Sequence, residues 1–407
     1  MNKSIKKLVL LLSFFFVSKA PLLYAQTNIS GQQIEVGTQI NTITTAVPFL
    51  MISPDARAGG MGDQGVASAP DANSIAWNPA KLAFIDKKMG FAVSYTPWLK
   101  ALVNDIYLAY LTGYTKLKDG QAIGGSLRYF SLGSISFTDN QGLPIKDFKP
   151  SEFSLDVAYS RKLSESFSGG IALRYIHSNL TGGTTVEGSD SKAGNTVAAD
   201  ISVFHQKDIK VGDKDAVFYY GLNISNIGAK ISYTETGTKN FIPTNLRLGP
   251  GLKLKLNEFN ELAFSLDINK LLVPTPPYYT QDSASQEDIV LYGQDPNVST
   301  AQGIFQSFSD APGGGKEELK EIVYAFGMEY WYDKQFAFRA GYFNENKLKG
   351  NRKYFTLGAG LRYNVFGIDL AYLIPTEQRN PLENTLHFTL TFDFDAFKDQ
   401  NKDSNKE

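Results

Sequence analysis

The chain has 407 residues, a formal net charge of -1 and no cysteine, with 28 Phe, 21 Tyr and 36 Gly. Without cysteine it has no disulfide framework, and its near-neutral charge leaves no electrostatic footprint for nucleic acid. Aromatics at 13%, abundant Gly and absent Cys keep two classes in view, an outer-membrane β-barrel and a large soluble periplasmic sandwich.

At the start, MNKSIKK is basic, LVLLLSFFFV is an apolar core of about ten residues, and a small residue stands at Ala25, so residues 1–25 read as a secretory signal peptide. No later stretch holds about 18 consecutive apolar residues, so no helical anchor is expected. Residues 26–88 form the next segment, expected to begin at a periplasmic mouth. Within it, SPDARAGGMGDQGVASAPDANSIAWNPA at 53–80 fits neither helix nor strand. It reads as a lumen plug or as a flexible linker. Gly59, Gly60, Gly62 and Gly65 open backbone conformations closed to other residues, while Asp55, Asp63, Asp71, Asn73 and Asn78 can satisfy local donors. Phe49, Leu50 and Trp77 are apolar anchors that linkers rarely carry. With Arg57 and Pro79 they complete the candidate plug.

From 89 to 395 the dominant signal is alternation of period two in short segments divided by turn residues, the signature of an all-β transmembrane antiparallel barrel. EFSLDVAYS sets Phe153, Leu155, Val157 and Tyr159 against Ser154, Asp156, Ala158 and Ser160; KYFTLGAGLRYN sets Phe355, Leu357, Ala359, Leu361 and Tyr363 against Thr356, Gly358, Gly360 and Arg362. Aromatics gather toward strand ends, as interfacial girdles do. The expected strands are 89–98, 104–116, 121–131, 151–163, 166–178, 196–207, 215–227, 245–257, 259–270, 321–333, 335–344, 353–364, 366–375 and 384–395, about fourteen in all. Links such as KLKDGQ, LSES, KDIKVGDKD and YDKQ are short, and the intervening ones are mostly longer, with 99–103 a brief exception. That asymmetry predicts a periplasmic short-turn side and both termini in the periplasm.

Charges within strands decide which face is which. Arg128, Asp156, Arg174, Asp200, Asp267, Glu329, Arg339, Arg362 and Asp369 fall opposite the apolar stripe. An Arg facing lipid at the midplane would cost roughly 2 to 4 kcal/mol, so these are expected to face the lumen. Both signs are present, which allows pairing with one another or with a plug; a selective pore is the other reading.

The long external link at 271–320 holds LLVPTPPYYTQD, IVLYGQD and IFQSF before APGGGKEE. Leu272, Pro276, Tyr278, Tyr279, Tyr292, Phe305 and Phe308 are candidates for partner contact, or fold the loop over the barrel mouth. Trp98 and Leu99 in TPWLK are a second candidate, with a girdle position the alternative for Trp98. The three histidines, His177, His205 and His387, show no metalloprotease or nucleophile-elbow spacing. His387 beside Thr389 on one face is the one form a catalytic site could take. In the polar tail 396–407, Asp399, Asn401 and Asp403 start like a calcium loop, but Ser404 stands where Gly belongs. No catalytic, metal or cofactor residue is expected.

DARAGGMGDQGVA followed by DANSIAWNPAKLAF resembles the N-terminal hatch of FadL-like outer-membrane barrels. The longer strings at 45–84, VSYTPWLKALVNDIYLAYL at 93–111, SLRYFSLGSISFTD at 126–139, LDVAYSRKL and GIALRYIHSNL are similar to the PorV (LptO) family of the Bacteroidetes type IX secretion system. That resemblance implies a non-enzymatic carrier in the outer membrane. It would take secreted cargo bearing C-terminal sorting domains from the translocon channel (SprA or Sov) to an attachment complex of the PorU transpeptidase with PorQ and PorZ. Outer-membrane lipid and lipopolysaccharide would surround it. The alternatives are a FadL-like uptake channel for hydrophobic small molecules and, more distantly, an enzyme acting on lipopolysaccharide.

Overall fold

Alternating sequence becomes a closed sheet of fourteen antiparallel strands: β1 Met89–Pro97, β2 Ile106–Lys116, β3 Gln121–Leu132, β4 Ser151–Lys162, β5 Phe167–Asn179, β6 Gly194–Val211, β7 Lys214–Gly228, β8 Asn245–Lys255, β9 Asn260–Leu271, β10 Val323–Tyr332, β11 Phe336–Asn344, β12 Lys353–Tyr363, β13 Phe366–Pro375 and β14 Leu386–Asp393. Each pairs with its sequence neighbours, and β1 closes on β14 from Gly90↔Asp393 to Tyr95↔Phe388. The computed structural model describes residues 37–394 apart from 119, 139–140, 184, 187–188, 235–236, 238, 282–287 and 379. The expected signal peptide and the tail 396–407 lie outside the described residues.

The barrel is apolar outside and polar within. On β4, Leu155 and Val157 are exposed at 49% and 69%, while Ser154, Asp156, Ala158 and Ser160 are buried. Exposed Leu, Ile, Val and Phe recur around the strands, far more apolar surface than a water-facing wall tolerates. Two aromatic bands flank it. Tyr95, Tyr107 and Tyr129 adjoin one another near one end, and Phe91, Phe392 and Phe366 near the other.

One rim carries only short turns, such as Gly212–Asp213 with Gly212 at φ +62° and Asn364–Val365 with Asn364 at φ +52°. The opposite rim carries the longer links, and the brief 98–105 connection belongs to it. The structure lengthens one expected hairpin: KDIKVGDKD is paired ladder, Lys207↔Phe218 to Val211↔Lys214, rather than a turn. Lys207, Asp208 and Lys210 are exposed there, so the apolar alternation stops before the pairing does.

The N-terminal segment enters from the other mouth than expected. Asn41 N–H donates to Leu348 O (2.9 Å), Asn41 Nδ2 to Pro276 O (3.1 Å) and Ala46 N–H to Phe241 O (2.9 Å), all acceptors on long links. The chain then descends the lumen and emerges at the short-turn rim, where Lys116 N–H bonds Lys88 O (2.8 Å). Sequence adjacency to β1 misleads here because about 40 residues reach easily across a membrane's thickness. From Phe49 to Ile85 no residue is exposed.

The wall makes room for this insert with glycine. A Cβ on Gly341 of β11 would lie 2.1 Å from Gly62 N, and one on Gly221 of β7 2.1 Å from Val66 O. Gly341→Val is therefore expected to displace the insert and leave the strands paired. Planar-bilayer recordings should show raised conductance while the folded band on unheated gels persists; unchanged conductance would contradict displacement of an insert that closes the lumen.

Candidate functional site

The insert, a hatch by its position in the lumen, is built on local capping. Asp55 caps the helical turn α1 (Ala56–Gly59), its Oδ1 accepting from Ala58 N–H (2.9 Å), and its Oδ2 accepts from Trp77 Nε1 (2.7 Å). Trp77 ends a second turn, α2 (Ser74–Trp77). Asn73 precedes that turn, 2% exposed. Asn78 then accepts from Ala80 N–H (3.1 Å) as Pro79 opens a 3-10 turn, and its Nδ2 donates to Val66 O and Val203 O. Phe49 stacks on Phe130, centroids 6.3 Å apart. Gly59 lies against the His387 ring, Gly60 against Gly358, and Gly62 adopts φ +72° beside β11. Gly62 N–H donates to Thr356 Oγ1 (2.8 Å), and Asp63 accepts from the Tyr354 hydroxyl. All twelve expected plug residues lie within the barrel.

The expected lumen charges face inward and form networks. Arg57 binds Glu329 through Nε and Nη2 (2.9 and 2.8 Å) and Asp71 through Nη1 (2.8 Å). Arg339 Nε donates to the same Glu329 (2.8 Å) and its Nη1 to Asp369 (2.8 Å), which also receives Arg362 Nη2 (2.6 Å). Three acids thus alternate with three arginines, and two of the six groups, Asp71 and Arg57, belong to the hatch. On the opposite wall, Arg174 bridges Asp156 (2.5 Å) and Asp200 (3.2 Å). Asp267 accepts from Gly65 N–H (2.8 Å) and Val66 N–H (3.0 Å), and Arg128 Nη1 donates to Leu50 O (2.7 Å). Wall charges therefore hold hatch backbone directly. Arg247 was missed by sequence reading because GPG follows it on β8 and hides the alternation; it lies inside, over the Trp77 ring at 4.6 Å.

At the long-loop rim a second ionic cluster pins the 272–322 link. Lys270 Nζ contacts Glu318 (2.9 Å) and Glu321 (2.6 Å), and Lys349 Nζ contacts Glu317 (2.6 Å) and Glu321 (2.9 Å). Asn41 Nδ2 donates to Glu317 (3.0 Å), tying in the N-terminal strap. Lys270 and Lys349 lie far from KEELKE in the chain, and only the fold brings them to it.

The expected partner residues separate into two groups. Phe305 and Phe308, on and just after helix α3 (Thr300–Gln306), are 78% and 51% exposed, and Tyr279 is 51% exposed. Leu272 is not available: it is 2% exposed, its N–H bonded to Thr244 O. Pro276, Tyr278 and Tyr292 are half-covered, with Tyr278 paired to Tyr292 in a loop hairpin. Trp98 and Leu99 fold inward rather than joining a girdle or surface. Trp98 packs against both the Phe49–Phe130 cluster and the Phe343–Tyr354 cluster, and Leu99, at φ +51°, against the latter. His387 is 2% exposed beneath the hatch, its Nδ1 3.0 Å from Thr96 Oγ1. Between hatch and wall, under the long-loop rim, lies a cavity of about 470 Å³ lined by Asp63, Trp77, Arg247, Phe343, Lys349 and Tyr354 among others.

Residues 35–278 match the family described as type IX secretion system protein PorV. Curated proteins give no match. Among solved structures, the Pseudomonas putida toluene transporter TodX aligns at 14% identity and TM-score 0.45, covering 87% of this chain and 98% of that one. The Ralstonia pickettii toluene transporter TbuX aligns at 11% and 0.44, over 83% and 96%, and a Pseudomonas aeruginosa FadL homologue at 13% and 0.40, over 87% and 99%. At these identities the likeness concerns the fold alone.

Glu329→Ala leaves both Arg57 and Arg339 without their shared carboxylate and should destabilise by roughly 3 to 5 kcal/mol, read from the denaturation midpoint in detergent. Arg57→Ala, which leaves Glu329 paired with Arg339, should cost less; the reverse order would refute the network. The loop cluster responds to pH. Burial, with the Glu318 and Glu321 carboxylates adding to it, pushes Asp310 up from 3.8 to about 6. An acid with a raised pKa favours the docked loop when protonated, so this contribution is fullest at low pH and is lost as pH rises through about 6. Burial opposes ionisation of Glu321, yet Lys270 and Lys349 hold its carboxyl below 4.5, and that contribution is lost on acidification. Asp310→Asn keeps an acceptor for Thr275 N–H and should protect the 272–322 link more at about pH 7.5 than at about pH 5, measured by hydrogen exchange. Equal protection gain at both would remove Asp310 as the cause.

Proposed function

The chain belongs to the PorV family of type IX secretion system proteins, outer-membrane β-barrels, and on that premise we propose that it is a non-enzymatic carrier and docking protein. It receives secreted proteins through their C-terminal sorting domains at the translocon channel (SprA or Sov) and passes them to the attachment complex of PorU, PorQ and PorZ. The short-turn rim lies in the periplasm, so β1 starts and β14 ends there, and the long links face outward together with the strap at residues 37–46. The observation that carries this reading is the division of the molecule: a lumen occupied from Phe49 to Ile85 by buried hatch, and apolar side chains presented on a loop that ion pairs hold in place. A chain with that layout works at its rim. Phe305, Phe308 and Tyr279 are the contacts for protein partners, since exposed aromatics on a pinned scaffold are the usual anchors.

Uptake of hydrophobic small molecules is the second reading, and the cavity of about 470 Å³ favours it. Its lining of Arg247, Glu321, Glu345, Lys349 and Arg352 opposes it, because desolvating such groups against a hydrocarbon is costly.

The test is affinity purification from detergent extracts of native outer membrane. Wild type should recover translocon or transpeptidase with sorting-domain cargo, and Phe305→Ser with Phe308→Ser should lower cargo recovery by about tenfold or more, at about 2 kcal/mol per anchor. Absence of every such partner from the wild-type extract refutes the reading. Because the chain has no cysteine, orientation is checked on the same cells: an impermeant maleimide should label Thr42→Cys and not Asp213→Cys.

A further inference from the structure

The cavity between hatch and wall has six charged side chains on its lining, and four are consumed in close pairs. Lys349 is held by Glu317 and Glu321, and Arg352 binds Glu345 through Nε and Nη2 (2.9 and 2.8 Å). Arg247 and Asp63 are different. Arg247 spends Nε on Asn269 Oδ1 (2.7 Å) and rests on the Trp77 ring, but its two terminal nitrogens make no hydrogen bond among the described residues. The nearest carboxylate, Asp267, stands 3.9 Å from Nε, and its Oδ2 already accepts from Gly65 and Val66 N–H. Asp63 gives Oδ2 to the Tyr354 hydroxyl and keeps Oδ1 buried without a partner. Asn245 sits on the same face of β8 as Arg247, about 7 Å along the strand. It is 1% exposed, and neither of its amide atoms has a partner.

Buried polar groups are nearly always satisfied, and those that are not mark places where something else completes them. Here the groups left over are one cation, one carboxylate oxygen and one amide able both to donate and to accept. We propose that the cavity binds a small zwitterion of the amino-acid class. Its carboxylate sits on the terminal nitrogens of Arg247 and on Asn245 Nδ2, its ammonium on Asp63 Oδ1 and Asn245 Oδ1. The apolar side group lies against Leu271, Val323 and Phe343, which line the same space. Three cations and three acids on the lining balance, so a net-neutral ligand adds no uncompensated charge to a partly dry site. A hydrocarbon would leave every leftover group unmet, and a simple carboxylate would leave Asp63. Entry is from the long-loop rim, where Thr42 and Thr44 of the strap are exposed beside the cavity.

The experiment is calorimetric titration of the full-length protein in detergent with phenylalanine, with 3-phenylpropionate, which has only the carboxylate, and with phenethylamine, which has only the ammonium. Phenylalanine should bind, and each half-probe should bind at least about tenfold more weakly, the effect of one charge-assisted hydrogen bond. Arg247→Gln and Asp63→Asn should each weaken phenylalanine by about tenfold while the folded band on unheated gels is kept. Equal affinity for a half-probe, or no binding of phenylalanine at millimolar concentration, overturns the proposal. The comparison of probes on the unaltered protein decides the matter even where a variant fails to fold.

Discussion

Everything inside this barrel depends on neutralising charge where little water is available. A ring of fourteen strands is too wide for its own inward side chains to fill, so the interior must be wet or occupied. Here it is occupied, and the wall carries acids and arginines that would be costly to leave unpaired. Arg57 resolves part of that problem from the hatch side by joining Asp71 to Glu329, and Glu329 to the Arg339–Asp369–Arg362 run beyond it. Removing the hatch would take Arg57 from Glu329 and the Gly65 and Val66 N–H donors from Asp267 together. The hatch thus supplies counter-ions as well as filling the lumen.

The same logic recurs at the long-loop rim with a different result. Lys270 and Lys349 gather Glu317, Glu318 and Glu321, and through Asn41 the cluster also fastens the strap that leads into the hatch. Loop and strap are therefore joined by hydrogen bonds at the rim, and the strap continues along the chain into the hatch. The same cluster anchors the end of the long link whose helix α3 and following turn present Phe305 and Phe308.

The strands were legible because their period of two is a local property: each side chain meets either lipid or lumen, and polarity records which. Asp156, Glu329, Arg339 and Asp369 could be assigned to the interior on that ground alone. Arg247 escaped because glycine and proline neighbours on β8 blur the alternation, and the β6–β7 hairpin was cut short because paired residues beyond the membrane band no longer need apolar partners. Leu272 looked like a loop anchor in a run of apolar residues, but its backbone bonds Thr244 and draws it under the rim. Trp98 and Leu99 misled in the same way, since a turn with φ +51° redirects them inward.

By itself the sequence determined that the chain forms a lipid-facing antiparallel barrel with a glycine-rich insert, because alternation, turn chemistry and the cost of charge in lipid are all written residue by residue. Only the tertiary structure decided that the insert enters from the long-loop rim, which acid meets which arginine, and that a cavity with unmatched polar groups is left beside Trp77. Those facts depend on pairings between residues up to about three hundred positions apart, such as Arg57 with Glu329 and Ala56 with Thr389. Such pairings follow from the closure of the sheet, which no short stretch of sequence encodes.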